Sequence, residues 1–143
     1  MATRFTKLNT DWNAEPNAPD PRVTVDGSDV LLHFKANPYQ FPRFAEGQVL
    51  RLHFKGATRY RLGGTNDEGW YRGQCRFSGR APAWGDFYEV GGDLRLDECP
   101  EDWVAVAASS SVDLRHFLFY LRDETFECTA VDWQLEITEE IRP

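Results

Sequence analysis

Residues 115–131 read RHFLFYLRDETFECTAV. Apolar side chains recur at every second position on both sides of Asp123-Glu124, the period of a strand rather than of a helix. Folded about that dipeptide, Leu121 faces Phe126, Phe119 faces Cys128 and Phe117 faces Ala130, and every pair is apolar. The reverse face sets Tyr120 against Glu127 and Leu118 against Thr129. A slip of one residue would turn the whole apolar set outward, so the pattern fixes the faces. Asp-Glu lacks the residues of a tight turn, and a longer loop with the same faces satisfies the pattern equally. The hairpin also accounts for Cys128 as a core thiol.

The same alternation runs outward from this segment. Residues 22–26 and 29–36 flank Gly27-Ser28, and Gly at the first loop position is type II′ hairpin chemistry. In that register Val25 faces Val30 and Val23 faces Leu32, at the cost of Asp26 opposite Asp29, which a wider loop with the same faces would relieve. Residues 48–62 alternate Leu50, Leu52 and Phe54 against Arg51, His53 and Lys55, with Gly56 marking a bulge or bend mid-run. Short strands are also expected over 70–77, 86–90, 103–107 and 133–138. Between them lie turn-rich stretches: GGTNDEG at 63–69, SGRAPAWG at 78–85, and a connection at 37–47 with room for one helical turn. Pro100 before Glu101 and Asp102 suits another single turn. Residues 9–22, NTDWNAEPNAPDPR, form a long Pro- and Asn-rich loop pinned by Trp12. LHFK occurs at 32–35 and again at 52–55, two strands meeting one sheet requirement rather than a duplication.

About ten short strands and no amphipathic helix place the chain among all-β folds, as one antiparallel β-sandwich or flattened β-barrel spanning 1–143. The length, 143 residues, is that of one domain, and 10 Phe, 5 Trp and 5 Tyr supply bulk for its core. No apolar run is long enough for a transmembrane helix, and residues 1–8 lack a signal-peptide stretch. The expectation is a cytoplasmic protein with no membrane contact. The odd count of three cysteines (Cys75, Cys99, Cys128), without a CxxC, fits free thiols better than a disulfide framework or a zinc site.

Charge is uneven. The chain carries −7, yet residues 1–96 hold 13 basic and 11 acidic residues while 97–143 hold 3 basic and 12 acidic. Oppositely charged strands lying side by side would explain this layout. The acidic pI of about 4.9 argues against nucleic acid, although Arg51, Lys55, Arg59, Arg61, Arg72 and Arg76 share polar strand faces.

Motifs for catalysis are missing from the sequence. There is no GxSxG, P-loop, GxGxxG or HExxH, and His33, His53 and His116 each fall on a strand face opposite the main apolar set. No catalytic residue, metal or cofactor is therefore expected. The distinctive stretch is residues 63–88, GGTNDEGWYRGQCRFSGRAPAWGDFY, which gathers Trp70, Tyr71, Arg72, Arg76, Arg80, Trp84 and Tyr88. Trp, Tyr and Arg bury large areas with few rotors and keep a polar handle, so they dominate interface energetics. These seven form the candidate ligand or partner-binding set, against a structural role as plugs at the sheet ends. The acidic residues Asp123, Glu124, Glu127 and Asp132 form a second candidate contact face.

The runs YRLGGTNDEGWYRGQCRFSG, APAWGDFYEV and RHFLFYLRDETFECTAVDW resemble bacterial conserved-hypothetical proteins of this length. They are also loosely similar to the small acidic immunity proteins of polymorphic toxin systems. That resemblance implies a β-rich cytoplasmic domain with a protein partner, and it carries over no functional residue. The leading expectation is a non-catalytic protein-binding domain, an immunity or accessory protein. The alternatives are a small-ligand-binding barrel or an enzyme with a pocket at the barrel mouth, using Tyr60, Tyr71, Trp84 and a histidine, and homo-oligomer formation through an exposed edge strand.

Overall fold

The computed structural model describes residues 3–64, 83–92, 103–106 and 113–142. Ten strands follow in order: β1 (Arg4–Lys7), β2 (Arg22–Asp26), β3 (Asp29–Lys35), β4 (Gln48–Lys55), β5 (Arg59–Gly63), β6 (Phe87–Gly91), β7 (Val104–Ala105), β8 (Arg115–Tyr120), β9 (Thr125–Ala130) and β10 (Asp132–Ile141). They build two antiparallel sheets, β1-β6-β8-β9-β5-β7 and β10-β4-β3-β2. Over the described residues the sheets face each other as a sandwich and do not close into a barrel. The described residues include no helix, so the turn at 37–47 is irregular rather than helical.

Alternation builds the core. Val30, Leu32 and Phe34 of β3 and Leu50, Leu52 and Phe54 of β4 point inward from the smaller sheet. Phe87, Phe117, Phe119, Leu121, Phe126, Cys128 and Ala130 meet them from the larger one, all buried. Phe54 sits among the rings of Phe87, Phe117 and Phe126, 5.3–6.1 Å away by centroid. The two LHFK segments are neighbours, with Leu32 opposite Leu52.

The β2–β3 hairpin has the expected register, Val23 opposite Leu32 and Val25 opposite Val30. Gly27 takes φ +62° while Ser28 stays negative, as a type II′ loop requires. The clash expected between Asp26 and Asp29 is relieved because Asp29 turns to β4. Its carboxylate accepts from His53 Nε2 at 2.7 Å and from the Gly56 N–H at 3.1 Å.

The β8–β9 hairpin keeps its expected faces but pairs differently. Phe117 lies opposite Cys128, Phe119 opposite Phe126, and Leu118 opposite Glu127. The Leu121 N–H reaches the Glu124 carbonyl at 2.9 Å, so Arg122-Asp123 is the tip and every pairing moves by two residues. The loop is a tight one rather than the longer loop the composition allowed.

Residues 48–62, one alternating run in the sequence, belong to two sheets. The chain leaves the smaller sheet at Lys55, turns through Gly56 at φ +61° and enters the larger as β5. Beside it Val131 carries β9 into β10 in the opposite sense. The corners are tied by Thr58 N–H to the Thr129 carbonyl at 2.9 Å and Val131 N–H to the Lys55 carbonyl at 2.9 Å. A Cβ on Gly56 would come 3.0 Å from Val131 Cγ2.

The long loop is pinned as expected. Trp12 is buried between the sheets, 5.9 Å from each of the Phe34, Phe87 and Phe119 rings. Asn9 clips the loop to β6, accepting from Phe87 N–H at 3.0 Å and donating to the Trp12 carbonyl and to Asp86. One strand was not foreseen: β1, whose pattern RFTK offers a single apolar residue, joins the edge of the larger sheet through Phe5 opposite Val90.

Candidate functional site

Of the seven candidate contact residues, Trp70, Tyr71, Arg72, Arg76 and Arg80 lie outside the described residues, as do Cys75 and Cys99. Trp84 and Tyr88 are described, and they differ. Tyr88 is buried on the outer face of the larger sheet with Val90, Leu118 and Tyr120. Its hydroxyl accepts from the Ala83 N–H and donates to the Ala83 carbonyl, each at 3.1 Å. Burial, reinforced by the Asp86 carboxylate, pushes its pKa up to about 12. Tyr88 therefore anchors the turn that presents Trp84. Trp84 is half-buried, its ring 4.8 Å from that of Tyr120.

Trp84 and Tyr120 form one wall of a cleft of about 300 Å³ at the end of the sandwich. The other walls come from residues 13–16 of the long loop, from Asn37 and Gln40 before β4, and from Leu121 and Arg122 at the β8–β9 tip. Four separate segments converge there because the sandwich brings its connections together at its ends. Hydrogen bonds stiffen the rim. Asn13 donates to the Gly85 carbonyl at 2.7 Å and its oxygen accepts from Ala14 N–H at 2.7 Å. Glu15 accepts from Asn17 and Ala18 N–H at 2.9 and 2.7 Å. Asn37 Oδ1 accepts from the N–H groups of Tyr39 and Gln40 at 3.0 and 3.1 Å. Tyr39, between two lining residues, is 65% exposed.

The sequence reading found Trp84 but missed Asn13, Asn37 and Arg122. Asn37-Pro38 is a turn-initiating pair and was the available signal for the second of these.

The residues expected at a barrel mouth are not gathered among the described residues, and Tyr71 of that set lies outside them. Tyr60 turns inward and stacks on Phe126 at 6.4 Å, and the cleft is lined by no histidine. The expected acidic face is also divided. Glu127 is 0% exposed, so it takes no part in a surface patch, and Asp132 is bonded to Arg115 at 3.0 Å.

Glu127 belongs instead to a polar cluster on the outer face of the larger sheet. Its oxygens meet His116 Nε2 at 2.7 Å and Arg61 Nη1 at 3.0 Å, while His116 Nδ1 lies 3.0 Å from Thr129 Oγ1. Trp103 borders the cluster, with the Arg59 guanidinium 4.0 Å above its ring. His116 is thus buried rather than facing solvent. On the outer face of the smaller sheet, His53 is held between Asp29 and Glu136, with Nδ1 3.2 Å from Glu136, and Arg51 bonds the other Glu136 oxygen at 2.5 Å. His33 lies diagonally across from it, opposite Arg51, with Nε2 3.4 Å from Thr24 Oγ1. Among the described residues no group of three or more His, Cys, Asp or Glu could hold a metal ion.

These pairs explain the uneven charge. Basic β4 runs beside acidic β10, placing Arg51 opposite Glu136 and Lys55 opposite Asp132; Arg61 of β5 lies opposite Glu127 of β9. Cys128 is a free thiol in the core, and burial alone pushes its pKa far up, which keeps it protonated and inert. No helix among the described residues is long and apolar enough to cross a membrane.

Family models, curated proteins and solved structures were all compared without a match. The reading of its function rests on the geometry just given.

Proposed function

We propose that the chain is a non-catalytic cytoplasmic domain that binds a protein partner, in the manner of an immunity or accessory protein, through the sandwich end carrying Trp84. One observation carries this reading: Trp84, Tyr120 and Arg122 line one cleft whose other walls come from two further loops. Tyr, Trp and Arg around a concavity are the composition of an interface centre. The rim is stiffened by the bonds of Asn13, Glu15 and Asn37, which lowers the ordering cost of association. The histidines with both ring nitrogens bonded, His53 and His116, are engaged in the sheets and distant in role from this end. A charge of −7 would steer a basic partner toward the molecule.

The test is affinity capture from lysate of cells that naturally express the chain, using wild type, Trp84→Ala and Arg122→Ala. The expected result is one partner recovered by wild type and lost with both variants, while the melting temperature of Arg122→Ala is unchanged. Equal recovery by all three would overturn the reading. The cleft volume stands at the lower end of the range for small-molecule sites, which favours a second reading, a small-ligand-binding domain. That reading expects a saturable change in Trp84 fluorescence with a metabolite pool depleted of protein.

A further inference from the structure

The cleft is selective in what its side chains leave open. Asn13 is engaged at both its oxygen and its nitrogen. Both oxygens of Glu15 already accept backbone N–H groups. Asp86 Oδ1 accepts from Asn9 and meets Lys7 Nζ at 3.7 Å.

Open donors remain at Asn37, Gln40 and Arg122. Asn37 is only 8% exposed, and its Oδ1 is turned back onto two N–H groups of its own loop. Those two donors fix which end of the amide is nitrogen, since an NH₂ could not accept them. Asn37 Nδ2 makes no hydrogen bond. Thr125 Oγ1 is the only fully enclosed side-chain polar atom without a partner among the described residues, so Nδ2 still reaches open space. Asn37 is one of the residues that line the cleft. At the rim, Arg122 has only a loose contact with Asp123 at 3.8 Å, and the Gln40 side chain is exposed.

A nearly buried NH₂ facing a cleft calls for an acceptor, because leaving it open after water is displaced forfeits its solvation. Glu15 and Asp86 line the same cleft and disfavour an anion. A neutral carbonyl oxygen meets both conditions.

We propose that the cleft receives an amide carbonyl of the partner protein, from its backbone or an Asn or Gln side chain, and that Asn37 Nδ2 donates to it beside the Trp84 ring. This rests on the protein-binding reading of the sandwich end and names the group that the partner inserts.

The probes are N-acetyl-glutamine methylamide, n-butylammonium chloride and N-acetylglucosamine. The readouts are the Asn37 side-chain NH₂ and Trp84 indole signals of the ¹⁵N-labelled full chain. The glutamine amide is expected to saturate both signals with a Kd on the order of 1 mM, as about fourteen heavy atoms support. Butylammonium, which can only donate, should shift neither.

Asn37→Asp keeps an oxygen for the Tyr39 and Gln40 N–H groups and replaces the open donor by an acceptor. It should fold with an unchanged melting temperature, bind the glutamine amide about tenfold more weakly, and gain binding of butylammonium. Two results would overturn the proposal: no saturation by the glutamine amide, or saturation that Asn37→Asp leaves intact. Saturation by N-acetylglucosamine alone would overturn the protein source of the carbonyl. Partner capture that survives Asn37→Asp but not Arg122→Ala sinks this inference and spares the interface. Amide binding with capture indifferent to Trp84→Ala and Arg122→Ala sinks the interface and spares the amide site.

Discussion

The outer faces of the two sheets carry the same three kinds of side chain in opposite surroundings. On the smaller sheet, His53, Glu136 and Arg51 are linked in a partly exposed row, extended to Asp29. On the larger sheet, His116, Glu127 and Arg61 are linked with distances just as short, but the carboxylate and the imidazole are out of solvent. Water competes for every charge in the first cluster and for almost none in the second. Similar geometry therefore carries different energetic weight: a surface pair contributes little, whereas a buried charge that loses its partner is strongly destabilising.

Removing the carboxylate from each cluster measures that difference. Glu127→Ala removes the buried carboxylate that both His116 and Arg61 meet and should cost about 3–5 kcal/mol in urea denaturation. Glu136→Ala leaves Arg51 and His53 to water and should cost less than about 1 kcal/mol. Equal losses would break the comparison, showing that water reaches Glu127 or that the row on the smaller sheet acts as a buried one.

A second pair of sites compares the corner between the sheets with a hairpin tip. Gly56 and Gly27 have almost the same positive φ, +61° and +62°. A Cβ on Gly56 would press on Val131 at 3.0 Å, whereas one on Gly27 would meet nothing within 4 Å. Backbone strain alone is worth about 1–3 kcal/mol at either glycine. Gly56→Ala should therefore cost that amount plus the displacement of Val131, and Gly27→Ala the backbone part only. If thermal denaturation ranks Gly27→Ala as the worse, the two corners are not locked together through Val131.

The same elements show what could be read before any coordinates. Gly27-Ser28 pointed to the register the β2–β3 hairpin has, because a two-residue loop with Gly first admits one pairing, and only the Asp26–Asp29 pair left a wider loop open. Arg122-Asp123-Glu124 contains no such residue. A period of two is unchanged by a shift of two, so the faces of Phe117, Phe119 and Leu121 were legible and their partners were not. Alternation is also silent about which sheet a strand joins. Residues 48–62 looked continuous, and only the positive φ at Gly56 marks the passage from one layer to the other. Trp84 was legible as a candidate by its type, and it lines the cleft. Asn37 was not, since its part in the cleft depends on two hydrogen bonds within its own turn and on walls supplied by residues 13–16 and 120–122.

The smallest expected effect lies in the pH dependence of the exposed row. Burial pulls the His53 pKa down, but hydrogen bonds to Asp29 and Glu136 outweigh it, and the value stands above the ordinary 6.5. His53 therefore adds stability that is complete below about pH 6.5 and is lost as pH rises through its raised pKa. The carboxylates work from the other side. The hydrogen bond from His53 holds Asp29 below its usual value. Burial raises Glu136, yet bonds from Arg51, Gln134 and His53 outweigh it and hold it at about 2. Their contributions are present above the unfolded carboxylate pKa near 4 and fade as pH falls toward those depressed values. His33, lowered by burial and by Arg51, has the opposite sign to His53 and loses stability below about pH 6.5. The total curve thus mixes two histidines, and the difference between wild type and His53→Gln isolates one. That difference should be largest near pH 5–6, stay below about 1 kcal/mol, and shrink as pH rises past 6.5. In thermal melts it amounts to a few degrees at most. A gap that is constant from pH 5 to 9 would mean that His53 is held by its neutral form alone, and that the row on the smaller sheet is a set of neutral hydrogen bonds rather than a charged one.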